Sequence, residues 1–412
     1  MRSISEKLGD APPAIPEPKA AGLCEDELTL KLATPMMGGG VEAGEVDMAR
    51  PIRASAIRGH LRHWWRLFCA NGLKGDELRK AEKGVWGGTD ISSRVIVLVE
   101  CAPIAGAQAM RAHNAAVPFD FEARYGPELY ALFPAQEQRQ AGKPGHDIAR
   151  EGLTFTLTLR YPRELQEQVR MAAAAWIYFG GVGARTRRGC GSLVCEAGGA
   201  GLPSLEKVLA ANDQIALWRG PAANDGLAAW QNALKVYKDY RQSRNPGQDR
   251  RPGRSHWPEP DSIRQLTGCS AGKHSIPVAD AASLPSFPRA ALGLPIIFHF
   301  KDGPRGRPDP NRDPADVQLK GRWRGKERER MASPVITKGI YKDGEWYSAI
   351  VVLPRQAALE LQPVAGTRQD SQIKPAQGRH YAKIRPMGGA LDAISGLERF
   401  ITSKGFEREE HH

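Results

Sequence analysis

The sequence predicts an α+β chain in which one β-α-β-β-α-β order is written clearly and then repeated in degenerate form, with long basic loops inserted. Two observations carry that prediction. Some segments alternate apolar and polar residues with period two, while others repeat apolar residues every three or four positions. The chain also has 412 residues and 41% hydrophobic content, too much for one small core and enough for two domains.

The elements of the first domain follow in order. "DELTLKLAT" (26–34) sets Leu28, Leu30 and Leu32 on one face of a strand. "SAIRGHLRHWWRLFCANG" (55–72) places Ile57, Leu61, Trp64 and Phe68 on one face of a helix, with Ser55 as its expected N-cap and Gly72 as its stop. Trp64 belongs to the apolar face, while the pattern leaves Trp65 ambiguous. "SRVIVLVE" (93–100) is rich in β-branched residues and reads as the second strand. Residues 102–150 form an irregular insertion. "LTFTLTLRY" (153–161) is the third strand, apolar from Leu153 to Tyr161 on one face and threonine-rich on the other. Pro162 is expected to open the second helix, whose stripe runs through Leu165, Val169, Ala173, Trp176 and Ile177. "SLVCEA" (192–197) closes the set. This is the ferredoxin-like, RRM-like arrangement.

The second half is fainter. "GLAAWQNALKVYKDY" (226–240) and "ALDAISGLERFITS" (390–403) read as helices, and 294–300, 332–338 and 345–353 as strands. The organisation expected is a flexible proline-rich arm (1–22), a first ferredoxin-like domain (23–200) and a degenerate second one (201–412). The second domain carries basic loops at 241–256 and 301–331.

Charge narrows the partners. The chain has 58 Lys+Arg against 46 Asp+Glu, a formal surplus of +12, which favours an acidic partner. No apolar run is long enough to cross a membrane, and the N-terminus lacks the apolar core of a secretory signal. Nucleic acid is therefore expected rather than membrane. The six cysteines form no CxxC pair and lie at no zinc spacing, so free thiols of a reducing cytoplasm are expected, with no metal and no cofactor.

Three stretches carry chemistry. "GGVGARTRRGCGSL" (180–193) holds five glycines and three arginines in fourteen residues. Glycine permits close backbone approach, and arginine forks suit phosphate. A dinucleotide loop would follow a strand and open a helix, whereas this one follows a helix and feeds a strand. The second stretch is "TPMMGGG" (34–40). The third is the helix in which Arg58, Arg62 and Arg66 recur every fourth residue after Arg53. In a β-α-β-β-α-β fold the two glycine loops and this helix can share one surface. Each signal alone is weak, since a charged helix face is ordinarily just solvated. In "LKGRWRGKERER" (319–330), Trp323 stands among Lys320, Arg322 and Arg324, an aromatic amid cations suited to stacking on a base or, equally, a solvated loop.

"TPMMGGG", "RPIRASAIRGHLRHWWRLF" and "GGVGARTRRGCGSL" together resemble RAMP proteins, the RNA-binding subunits of CRISPR effector complexes, and above all those of type III-B (Cmr) complexes. "LGLPIIFHF" and "RMASPVI" extend the likeness into the second half. The resemblance implies a cytoplasmic, non-catalytic subunit that holds guide RNA or guide–target duplex beside other RAMP subunits in antiviral defence. It marks Gly38, Gly39, Arg58, Arg62, Arg66, Arg185, Arg187 and Arg188 as RNA contacts. Arg53, Lys320, Arg322, Trp323 and Arg324 join them on chemistry, and Gly181, Gly183, Gly189 and Gly191 are expected to let the backbone near phosphates. The rival class is a metal-independent endoribonuclease built on His60 and His63, spaced i, i+3 on the arginine helix. A pure protein scaffold would leave the charge surplus unused.

Overall fold

In a computed structural model, described over residues 22–42, 44–70, 72–104, 109–111, 127–135, 145–247, 253–280, 284–304, 308–323, 326–354, 360–361 and 383–410, two four-stranded antiparallel sheets organise the chain. The first contains β1 (Leu23–Leu32), β2 (Ile96–Glu100), β3 (Thr154–Pro162) and β4 (Leu193–Ala197), in the order β2-β3-β1-β4. Helices α1 (Ala54–Phe68) and α3 (Gln166–Phe179) are the two crossovers, and α2 (Gly75–Trp86) follows α1. This is the ferredoxin-like order. Register fixes its faces: Leu28 opposes Leu157, Leu30 opposes Phe155 and Leu32 opposes Leu193, all directed onto the helices and buried.

Local expectations shift at the ends. Arg53, not Ser55, occupies the N-cap of α1, and the helix stops at Phe68 with Cys69 as its C-cap. Pro162 ends β3 instead of opening α3; a short 3-10 turn over Arg163–Leu165 intervenes. Trp65 is buried like Trp64, its indole N–H donating to Gln168 Oε1 at 2.9 Å.

The second sheet contains β5 (Ala216–Ala223), β6 (Val335–Lys342), β7 (Glu345–Val352) and β8 (Glu407–Arg408), in the order β6-β7-β5-β8. With α4 (Gly226–Arg241) and α5 (Ala393–Thr402) as crossovers it repeats the first topology. Asp225 and Asp392 cap these helices by accepting from Ala228 N and from Ile394 N and Ser395 N. The 294–300 segment does not join this sheet; Ile296–Phe298 pairs instead with Val317–Leu319. That pairing and the hairpin Gly321–Trp323/Lys326–Arg328 place short strands within the stretch expected as a basic loop, 301–331. They cover a separate small core of Ile263, Phe287, Leu294, Phe298 and Leu319.

The two sheets use their faces differently. On the first, the face away from the helices presents Glu25, Glu27, Glu100 and Glu196 against Lys31 and Arg160, among threonines and aliphatics, with no aromatic residue. On the second, Val335, Ile350 and Val352 pack with α4 and α5, while Ile336, Ile340, Ala349 and Val351 join the core that contains α3. One domain's sheet therefore rests on the other domain's helix.

Candidate nucleic-acid interface at the domain seam

RRM-type recognition needs aromatic residues on an open sheet face. The first sheet's open face is acidic and lacks them, and the second sheet's face is covered. What remains is the loop end, where the two glycine stretches meet.

They meet through the backbone. Ala184 N donates to Met37 O at 2.7 Å and Gly191 N to Pro35 O at 2.8 Å. Thr34 fastens the base, its Oγ donating to Gly189 O at 2.5 Å and accepting from Ser192 N at 2.9 Å. A side chain at Gly181 would press on Gly191 O, one at Gly183 on Met37 O, and one at Gly191 on Val182 O. At Gly189 (φ +77°) a Cβ would strike Thr337 O and the Trp230 ring. The space beside these four glycines is filled by protein. Glycine at these positions therefore serves the packing of one loop against the other, and Gly183 stays half-exposed. Gly38 is buried against Ala184, while Gly39 is half-exposed beside Gly183, and Arg53 joins the rim by donating from Nη2 to Gly40 O at 3.1 Å.

The tandem arginines turn inward. Arg185, in the left-handed region at φ +62°, donates to Ala131 O and Tyr130 O, each at 2.9 Å. Arg188 is buried: it donates to Val335 O and to the Tyr237 hydroxyl, both at 3.2 Å, and lies 4.6 Å from the Tyr237 ring centroid. Its own carbonyl accepts from Trp230 Nε1 at 2.5 Å. Arg187 is half-buried, donating from Nη1 to Ser333 O at 3.0 Å and from Nη2 to His63 Nε2 at 3.5 Å. The loop thus bolts the first domain to β6 and α4 of the second. Arginine suits this because its fork can serve several carbonyls at once.

Lys338, which the sequence reading missed, completes the seam. Fully buried on β6, it donates from Nζ to Ile177 O and Gly180 O, both at 2.7 Å, capping the C-terminus of α3. Burial pushes its ammonium down to about 7. A readable signal existed: Lys338 falls between Ile336 and Ile340 on the period-two face of a strand.

The α1 stripe is arranged otherwise. Arg62 Nε donates to Glu82 Oε1 at 2.6 Å, and Arg66 holds both oxygens of that carboxylate, at 2.6 and 2.8 Å. Burial opposes ionisation of Glu82, but the bonds from Arg66 and Arg62 outweigh it and hold its carboxyl below the usual range. Arg58 is exposed. His60 stacks on Trp176 at 6.4 Å, and His63 meets Trp64 edge-on at 5.2 Å. Neither ring contacts a carboxylate among the described residues. Burial first, then Arg187, Arg66 and His60, hold His63 down at about 4.

Of the hairpin candidates, Lys320 pairs with Glu327 and Arg322 lies on the strand Gly321–Trp323. The Trp323 side chain and Arg324 lie outside the described residues. His274, Asp302 and Asp313 bring potential ligand atoms within 4.8 Å of one another. Asp313 is already held by Arg264 at 2.9 Å and Asp302 by Lys273 at 2.8 Å. Among the described residues no helix is long and apolar enough to cross a membrane.

Residues 29–194 match the model of the RAMP superfamily, so the resemblance carried by the three motifs holds over the first domain and its loops. No curated protein sequence matches the chain. Among solved structures, Cmr1 from Pyrococcus furiosus in its apo form is similar at 16% identity and TM-score 0.50, covering 93% of this chain and 98% of its own. A chain of the type III-B Cmr-beta complex bound to cognate target RNA and AMPPnP, in the presence of ssDNA, is 12% identical with TM-score 0.46, covering 93% and 99%. The Cmr1 likeness extends the shared fold across both ferredoxin-like domains.

Proposed function

From the RAMP match over residues 29–194 and the Cmr1-like fold of the whole chain, we propose a non-catalytic, RNA-binding subunit of a type III-B CRISPR (Cmr) ribonucleoprotein. It would hold guide RNA, guide–target duplex or both in the cytoplasm, beside other RAMP subunits. The observation that supports the reading is the loop end, where the glycine rims, Arg53 and Arg187 come together beside the seam while both sheet faces are acidic or covered. The hairpin with Lys320, Arg322, Trp323 and Arg324 is proposed as a second contact. Arg188 is assigned to the seam and not to RNA, because its guanidinium is buried on protein acceptors.

The endoribonuclease reading finds no support in the rings it relied on. His60 is stacked on Trp176, and His63 accepts from Arg187 with no orienting carboxylate in contact among the described residues. The test is binding of labelled single-stranded and duplex RNA by the full chain, with intact repeat RNA recovered after incubation in chelator. Absence of RNA affinity at low salt would overturn the proposal. Cleavage lost in a His60→Ala/His63→Ala double variant would establish the enzyme instead.

A further inference from the structure

The cations at the seam share an unusual feature. Arg185, Arg187, Arg188 and Lys338 all donate to backbone carbonyls, and among the described residues none makes an ion pair with a carboxylate. A carbonyl satisfies the N–H but does not cancel the charge, so the seam carries net positive charge in a partly desolvated place. Two of these groups are closed off: Arg188 and Lys338 are buried. Arg185 is half-buried, and its bonding donors are taken by Tyr130 O and Ala131 O. Arg187 is half-buried and shares its outer edge with His63, also half-buried.

We propose that His63 and Arg187 form the seat of one phosphate of the bound RNA, taken up together with a proton on His63. The proposal rests on the RNA-binding reading and adds to it a residue and a proton. In the free protein His63 Nε2 accepts from Arg187, so the ring is neutral and the pair has one donor pointing at one acceptor. A phosphate oxygen entering beside them offers acceptors to both groups. Protonated, His63 donates rather than accepts, and ring and fork face the same anion.

The charges around the ring fit this exchange. Arg187 faces it from the loop, and Arg66 and His60 from its own helix. Glu82 on α2, the carboxylate on that side, is held by Arg62 and Arg66. From the second domain, among the described residues, the ring's neighbour Arg187 meets the Ser333 carbonyl. Burial and these cations keep the free ring neutral down to about pH 4. A phosphate placed there supplies the missing negative charge and raises the ring's proton affinity. Each unit of that rise is a tenfold gain in RNA affinity at pH values below both the free and bound pKa.

The experiment uses the full chain and an oligouridylate without terminal phosphates, whose charge is constant between pH 5 and 7. Wild-type affinity is expected to rise about twentyfold from pH 7 to pH 5, if the bound ring recovers an ordinary pKa near 6.5. In His63→Gln the rise should be absent, with the thermal transition confirming that the variant folds. NMR titration of the His63 ring in wild type, with and without the oligomer, supplies a readout that needs no variant. RNA binding with an unmoved ring and equal pH profiles in both proteins would overturn the seat while leaving the RNA reading intact. A ring shifted by sulfate, without RNA affinity at any pH, would keep the anion seat and sink the RNA reading.

Discussion

The arginines of α1 and those of the 180–193 loop look alike in sequence and are used in opposite ways. Arg62 and Arg66 converge on one carboxylate, Glu82, at the surface between two helices. Arg187 and Arg188 reach across the seam to carbonyls of the second domain and Arg185 to carbonyls of its own, with no carboxylate in contact among the described residues. The first set is neutralised where it stands. The second keeps its charge and spends its hydrogen bonds on holding two domains together. Guanidinium geometry permits both, and the partner decides what the charge can still do.

Variants that break this contrast differ in size of effect. Arg188→Ala should be the most damaging, because it leaves Val335 O without its Arg188 donor, removes one of the partners of the Tyr237 hydroxyl and empties an aromatic bed. At 1–3 kcal/mol for a stranded buried group, with the lost aromatic contact added, a loss of about 3 kcal/mol is expected in denaturant unfolding. A loss below about 1 kcal/mol would show that the loop does not bolt the domains.

Lys338→Met keeps volume and removes the cap on α3. The native pKa of about 7 lies below the ordinary 10.5, so the unfolded chain binds more protons between those values. Wild-type stability should therefore gain up to ~1.4 kcal/mol per pH unit from this group as pH rises above 7. Subtracting the Met variant's pH–stability profile isolates that gain. Parallel profiles would show that the lysine does not lose its proton on folding.

These residues also show where sequence stops being legible. β1 and β3 were readable because alternation survives in both, and the helices because their apolar stripes are complete. β5 was not, since Gly220 and Pro221 interrupt "ALWRGPAA" with turn signals, while its pairing with β7 passes a bulge near Tyr347. β8 is two residues long and has no pattern to read. The conjunction of the two glycine loops followed from topology. The direction of their arginines did not, because charge suggests solvent and no local pattern shows Tyr237 and Trp230 waiting on α4. Five glycines beside three arginines was itself the clue: such a backbone is built for close packing, and the cations near it inherit the carbonyls that packing brings.

A smaller effect belongs to the α1 stripe. In Arg62→Ala, Glu82 retains both bonds from Arg66, so the cost should stay near 1 kcal/mol or less, as for partly exposed ion pairs. A loss of several kcal/mol in the same unfolding assay would make the stripe a structural keystone.

The most direct test of the contrast is the salt dependence of single-stranded RNA binding in Arg187→Gln and Arg62→Gln, two variants that each remove one positive charge. A lost phosphate contact lowers the slope of log K against log salt by about 0.7. That reduction is expected for Arg187→Gln, and an unchanged slope for Arg62→Gln. A reduced slope in the Arg62 variant with none in the Arg187 variant would contradict that expectation, and would move the RNA from the domain seam to the outer face of α1.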